Sequence, residues 1–161
     1  MLRITDQYFW NFVFSSFFVV LVVMGVIILE GEAYKSYAEI TVLDIVLITL
    51  ATWRVVRLFV YDAITKFFRE QFWNARKTKT GIVLEKPASG PRRTLADLFS
   101  CPWCLSAWAA AFITFCYLLT PYAFFPVLFL AVSAVATYLQ LLSNLTGHKA
   151  EQLKTQNERG F

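Results

Sequence analysis

A single histidine, three cysteines, five prolines and six glycines are spread over 161 residues, and Asp, Glu, Lys and Arg together make up only 16% of the chain. Each shortage closes a class. Three cysteines cannot build a disulfide-dense secreted scaffold, and six glycines without a period cannot build a collagen-like repeat. So low a charged share, beside abundant apolar residues, is the opposite of the composition that keeps a chain disordered. His148 has no nucleophile motif near it, so no hydrolase triad is assembled. An HExxH zinc motif and a glycine-rich nucleotide loop are both missing, as is any apolar run with the paired carboxylates of a proton relay. The expectation is a non-enzyme, with no catalytic residue and no cofactor assigned.

What the chain has in excess is apolar. Hydrophobic residues reach 58%, with sixteen Phe and five Trp among them, and the mean hydropathy is +0.55. Soluble domains average about 45–50% apolar even with glycine counted. A fold this small leaves much of its surface wet, and this chain lacks the polar groups to cover it. The composition implies an integral membrane protein.

A helix needs about 20 apolar residues to cross roughly 30 Å of hydrocarbon. Four stretches qualify: residues 9–29, 40–61, 101–119 and 124–145. The first is broken only by Asn11, Ser15, Ser16 and Gly25. It outruns the apolar core of a signal peptide and no small-x-small site follows Leu29, so an uncleaved first span is expected. The second is less apolar than the first, since it carries Asp44, Arg54 and Arg57. Pro121 and Pro126 bracket a tight turn between the last two, because proline is disfavoured inside helices. The expected fold is all-α, one membrane domain over 1–161 with four transmembrane helices. A cytoplasmic loop covers 62–97 and a cytoplasmic tail 146–161.

Lys and Arg set the orientation. Twelve of the fifteen lie in the head, the 62–97 loop and the tail, Lys35 alone lies on the other side, and Arg54 and Arg57 fall within the second span. Both termini are therefore expected in the cytoplasm, with the protein in the cytoplasmic (inner) membrane.

Over residues 62–79, Ile64, Phe67, Phe68, Phe72 and Ala75 share one helical face, while Lys66, Arg69, Glu70, Arg76 and Lys77 populate the others. That is the pattern of a basic amphipathic helix. It either lies among anionic lipid headgroups, which attract each cation by about 1 kcal/mol, or extends the second span and packs on the protein. The Phe and Trp side suits lipid or protein, so no nucleic-acid partner is expected. Gly81, Pro87, Gly90 and Pro91 mark a loop, with Ile82–Leu84 as a short extended piece. Thr94-Leu-Ala-Asp97 matches a capping box that predicts a helix from Leu95, interrupted at Pro102.

Two constellations bear on chemistry. Cys101-Pro-Trp-Cys104 has the spacing of a redox dithiol or of half a zinc site. Pro102 suits the first turn of a helix, which places Cys101 at its cap. A second CxxC is missing, and Cys116 lies roughly 18 Å further up the helix, so zinc would need ligands from a second chain. Three readings stand: a packed structural turn, a metal site on Cys101 and Cys104, and a redox pair. Arg54 and Arg57, at i and i+3, form the second. Ionisable groups within a span face the interior, a cavity or the interface. They would contact an anion or lipid headgroup, line a polar path, snorkel to the headgroups, or pair internally, with Asp62 the nearest acid in sequence. Asp44, about 15 Å from Arg54 along the helix, is expected to cap the helix or lie at the outer interface. Ser106/Ala110, Ala107/Ala111 and Ser133/Thr137 are small-xxx-small pairs suited to close helix packing.

Ala51-Thr-Trp-Arg54, Arg57, Asp62 and Leu98-Phe-Ser-Cys-Pro-Trp-Cys-Leu-Ser-Ala-Trp108 together resemble an uncharacterised family of small bacterial and phage multi-pass membrane proteins, some labelled sporulation proteins. The resemblance covers about residues 45–115, and its most specific part is the CPxC…W piece, where Ser106 replaces a common glycine. It implies a bacterial or phage origin and supplies no activity, catalytic residue or cofactor. The leading expectation is a membrane subunit acting through helix–helix and cytoplasmic-loop contacts, as a homo-oligomer or with a membrane protein partner. A small pore or transporter using Arg54 and Arg57, and a thiol-redox or zinc protein using Cys101 and Cys104, are the alternatives.

Overall fold

The computed structural model describes residues 2–78 and 81–158. Lys79 and Arg159, two cations of the charge bias, lie outside the described residues. The elements run α1 (Leu2–Glu32), α2 (Val42–Val60), α3 (Lys66–Glu70), β1 (Asn74–Thr78), β2 (Gly81–Glu85), α4 (Pro91–Ser100), α5 (Pro102–Leu119) and α6 (Phe124–Glu158). Among the described residues the protein is all-α apart from one small hairpin. Three helices among the described residues are long and apolar enough to cross a membrane: Asp6–Glu32, Pro102–Leu119 and Pro121–Gln156.

Local chemistry sets the helix ends. Thr41 caps α2: its hydroxyl accepts from the Asp44 backbone N–H, while the Asp44 carboxylate accepts from the Thr41 N–H and O–H. This reciprocal box satisfies donors that a helix start leaves orphaned. At the other end, the Arg57 carbonyl accepts from the Tyr61 and Asp62 N–H groups, and the Leu58 carbonyl from the Thr65 hydroxyl. Arg69 donates to the Phe59 and Val60 carbonyls. All four terminal carbonyls are thus used, and a guanidinium sits on the negative end of the helix dipole. Gly90, at φ 98°, leads into α4 with Pro91 as its first residue. The extended backbone of Cys101 ends α4, and Pro102 starts α5. Thr120 and the short 3-10 turn Pro121–Ala123 then reverse the chain into α6.

Two expectations change here. Residues 62–78 of the stretch expected as one amphipathic helix do not form it. After the 3-10 turn Ala63–Thr65, helix α3 lasts five residues, and Asn74 begins a strand. The Arg69 side chain reaches back to cap α2, and Phe68 and Phe72 pack onto Phe59 and Phe99, with ring centroids 5.2–6.0 Å apart, while Ile64 and Phe67 stay exposed. Packing of Phe68 and Phe72 onto these rings competes with a straight helix on a lipid surface. The extended piece around Ile82 is present as β2, antiparallel to β1 in the register Asn74↔Glu85 to Thr78↔Gly81. The helix expected from Leu95 begins instead at Pro91, because Gly90 and Pro91 supply the start, and Thr94 spends its hydroxyl on another helix.

α2 packs against both α5 and α6, and α1 leans on α5 and α4. The core joins Leu29, Leu47, Ala51, Ile113, Tyr117, Leu118, Val127 and Ala131. Ala51 and Ala134 are fully buried, which lets α2 and α6 approach closely. α1 meets α5 where Phe18 lies 4.8 Å from Trp108 and where Gly25 faces Phe115. Phe12, Val19 and Ile27 on α1, and Phe125, Phe129 and Val132 on α6, are exposed. So broad an apolar surface marks a membrane-facing or partner-facing exterior.

Candidate functional site: polar groups along the second helix

Arg54 and Arg57 share a face of α2, yet their surroundings differ. Arg54 Nε donates to Ser133 Oγ on α6 at 2.9 Å, and its NH1 donates to Asp62 Oδ2 at 2.8 Å. The pair is largely shielded, with side-chain exposures of 17% and 28%. Arg54 therefore links α2, the segment after it and α6. The Arg57 guanidinium stands 6.0 Å from the Trp53 ring and 5.8 Å from the Tyr61 ring. Its Nε is buried without a hydrogen-bond partner among the described residues.

At the opposite end of α2, the Asp44 carboxylate accepts four hydrogen bonds. Lys35 Nζ lies at 2.6 Å, the Thr41 N–H and hydroxyl at 2.7 Å each, and the Tyr117 hydroxyl at 2.5 Å. The Lys35 N–H also donates to the Leu118 carbonyl, at 3.2 Å. Asp44 thus caps its own helix and pins the 33–41 segment to α5. A cavity of about 330 Å³ opens beside it, lined by Tyr34, Lys35, Asp44, Tyr117, Thr120, Pro121 and Phe124.

Cys101 and Cys104 are free thiols at the start of α5, Cys101 half-buried and Cys104 exposed. Cys101 Sγ accepts from the Cys104 N–H at 3.3 Å, which makes this cysteine the helix cap. Among the described residues no group of three or more His, Cys, Asp or Glu is placed to hold a metal ion. Asp97, one turn before, is engaged elsewhere: Oδ1 accepts from Lys86 Nζ at 2.8 Å and Oδ2 from Arg93 Nε at 2.9 Å. Burial pushes the Asp97 carboxyl up, and the hydrogen bonds from Lys86 and Arg93 overcome it and hold it below the ordinary value. Lys86 also sits 5.5 Å over Trp73, and Arg92 donates to the Gln71 carbonyl at 3.0 Å, so the hairpin and α4 are tied together.

Several participants carry no motif. Gln7 Nε2 donates to Thr94 Oγ1 at 3.0 Å, and Thr94 Oγ1 donates to Asn11 Oδ1 at 3.2 Å, joining α1 to α4. Ser133 matters as an acceptor for Arg54, beyond being a small residue. Lys35 and Tyr117 are Asp44 partners. A lone cation in an acidic outer loop was the one available hint of Lys35.

Membrane-compatible helices, a mostly helical chain and charges held at helix ends or between helices define the class: a small all-α protein of membrane-protein character. The chain belongs to the family described as "Protein of unknown function (DUF1360)", whose model matches residues 47–143. Ala51–Arg54, Arg57, Asp62 and the 98–108 stretch all lie within that match. Two Bacillus subtilis (strain 168) proteins are similar to it. Sporulation protein YjcA is 33% identical over 108 residues, covering 62% of this chain and 90% of the relative. UPF0713 protein YngL is 31% identical over 100 residues, covering 61% and 75%. No solved structure matches the chain.

Proposed function

We propose that the protein is a non-enzymatic, multi-pass subunit of a bacterial or phage cytoplasmic membrane. α2 serves as a fourth span, and both termini and the 62–97 segment lie in the cytoplasm. It acts through helix–helix and cytoplasmic-loop contacts, with a second copy or another membrane protein, in a bilayer bearing anionic headgroups. The carrying observation is α2 itself. Its ionisable groups Asp44 and Arg54 are bonded to neighbouring elements, as a helix in hydrocarbon requires. The described part of the 62–97 segment, with its Lys86–Asp97–Arg93 tie, offers a shaped surface for a partner. The name of the YjcA relative adds a setting, sporulation.

Crosslinking in membranes followed by native mass spectrometry in detergent should recover an oligomer or a stoichiometric partner. A strict monomer with nothing attached sinks the proposal. Cysteine-labelling at Thr41, Tyr61 and Ala88 should report opposite sides for Thr41 and the other two. The pore and thiol readings draw on less: Arg54 is occupied by Asp62 and Ser133, and Cys101 caps a helix.

A further inference from the structure

We infer that the α2–α6 face carries a binding site for one anionic glycerophospholipid, with the phosphate at Arg57 and an acyl chain in the groove beside Trp53. The groove is apolar, about 340 Å³, and lined by Leu50, Trp53, Ala134, Val135 and Tyr138. That volume falls within the range of small-ligand pockets, about 300–1,000 Å³. Trp53 forms part of its wall, packed edge-on to Tyr138 at 6.5 Å. The same ring stands 6.0 Å from the Arg57 guanidinium, so an apolar slot and a cation meet at one residue.

Arg57 is the unsatisfied member of the set. A buried polar atom without a partner costs free energy, so a native chain seldom leaves one unless a ligand or water meets it. A phosphate oxygen supplies what the Nε of Arg57 lacks, and guanidinium forks match phosphate geometry. Leu50, Trp53, Arg57 and Tyr61 follow each other at spacings of three, four and four along α2, which makes one stripe. The Tyr61 ring also stands 5.8 Å from the guanidinium. Arg57 lies in the last turn of α2, the depth at which headgroup phosphates meet hydrocarbon.

Local charge selects the lipid class. Arg54 is neutralised by Asp62, and Lys66 faces Glu70 at 3.5 Å. On α2 and the segment that follows it to Glu70, Arg57 and Arg69 are left without a carboxylate partner among the described residues, and Arg69 is bonded to helix carbonyls. A net positive charge beside an apolar slot favours an anionic headgroup over a zwitterionic one. The inference rests on α2 being a membrane span.

The test uses the full chain in detergent, titrated with dioleoyl phosphatidylglycerol or dioleoyl phosphatidylcholine and read by native mass spectrometry. One phosphatidylglycerol should bind in preference to phosphatidylcholine. Arg57→Gln should weaken phosphatidylglycerol binding roughly tenfold or more and erase the preference. Arg57→Lys, which keeps the charge, should keep it. Val135→Trp, at a half-exposed groove position, should weaken both lipids. Brominated-chain phosphatidylglycerol should quench tryptophan fluorescence, and Trp53→Phe should remove that quenching component. Equal affinity for both lipids, an Arg57→Gln variant that binds like the parent, or quenching unchanged by Trp53→Phe overturns the proposal. Labelling at Thr41 and Tyr61 checks the span separately, so lost lipid selectivity with opposite-side labelling refutes this site alone.

Discussion

Removing the Tyr117 hydroxyl should destabilise the protein through Asp44, and the size of the effect can be worked out beforehand. Asp44 Oδ1 accepts from Tyr117, while Oδ2 takes Lys35 and both Thr41 donors. Tyr117→Phe keeps the ring in place and leaves no void, so the change isolates one charge-assisted bond. Such bonds contribute about 1.5–3 kcal/mol in water-soluble proteins. Bonds between transmembrane helices average about 0.6 and reach about 1.7 kcal/mol. With the Asp44 side chain only 8% exposed and α2 taken as the proposed span, the upper membrane figure applies, and we expect about 1.5 kcal/mol. Asp44→Ala removes every bond and leaves the Lys35 cation without its carboxylate, for about 3–5 kcal/mol. Unfolding by sodium dodecyl sulfate in mixed micelles, followed by circular dichroism, measures both. The decisive comparison is Tyr117→Phe in the Asp44→Ala background, where its cost should fall to near zero. If the two costs instead add within about 0.3–0.5 kcal/mol, Tyr117 does not act through Asp44 and the reasoning fails.

Asp62→Asn should cost more stability than the double variant Arg54→Gln/Asp62→Asn, because the single change strands a shielded guanidinium; the same micelle titration checks the order. Gly25→Leu should loosen α1 from α5, since a Cβ there already stands 3.3 Å from the Phe115 ring, and disulfide trapping between Phe18→Cys and Trp108→Cys should fall. Asp97, held below the ordinary carboxylate value, binds fewer protons folded than unfolded in the acid range. Its contribution is therefore present above the unfolded value of about 3.9 and fades as pH falls through the lower folded one. The melting difference between Asp97→Asn and the parent, clear at neutral pH, should shrink to nothing in strong acid; a gap that persists removes the ion-pair account.

Helix ends are legible wherever capping chemistry is local. Thr41 with Asp44, Cys101 with Pro102, and Thr120 with Pro121 sit within three residues of the ends they define, so a single sequence displays them. The hairpin is less visible. Its first strand, Asn-Ala-Arg-Lys-Thr, has little β-propensity of its own and is extended because it pairs with Gly81–Glu85. The helical face of Phe68 and Phe72 was visible, but the destination of these rings was not, since their contact comes from Phe99. The polar site divides the same way. Arg54 and Asp62 are eight residues apart and could be matched by eye, whereas Tyr117 meets Asp44 across 73 residues and Ser133 meets Arg54 across 79. Periodicity carries no information about such pairs.

On the proposed four-span reading, the position of α2 follows from what hydrocarbon does to helix association. Lipid tails are as apolar as leucine, so burying apolar surface between helices gains little there; close packing and polar contacts decide which helices meet. α1, the most apolar helix, meets its neighbours through Gln7 and Asn11 near one end and through Phe18, Gly25 and Leu29 along its length, while much of its surface stays outward. α2 carries groups that hydrocarbon cannot satisfy, and it lies where α5 supplies the Tyr117 hydroxyl and α6 supplies Ser133. Alanines at 51, 131 and 134 bring the backbones near enough for those side chains to reach. The helix with ionisable groups along its length is thus the one that meets both α5 and α6, while α1 leaves much of its apolar surface outward. A helix this polar is held in the bundle by its charges, and Arg57, the one cation on it left without a hydrogen bond among the described residues, is where the bundle still has a contact to make.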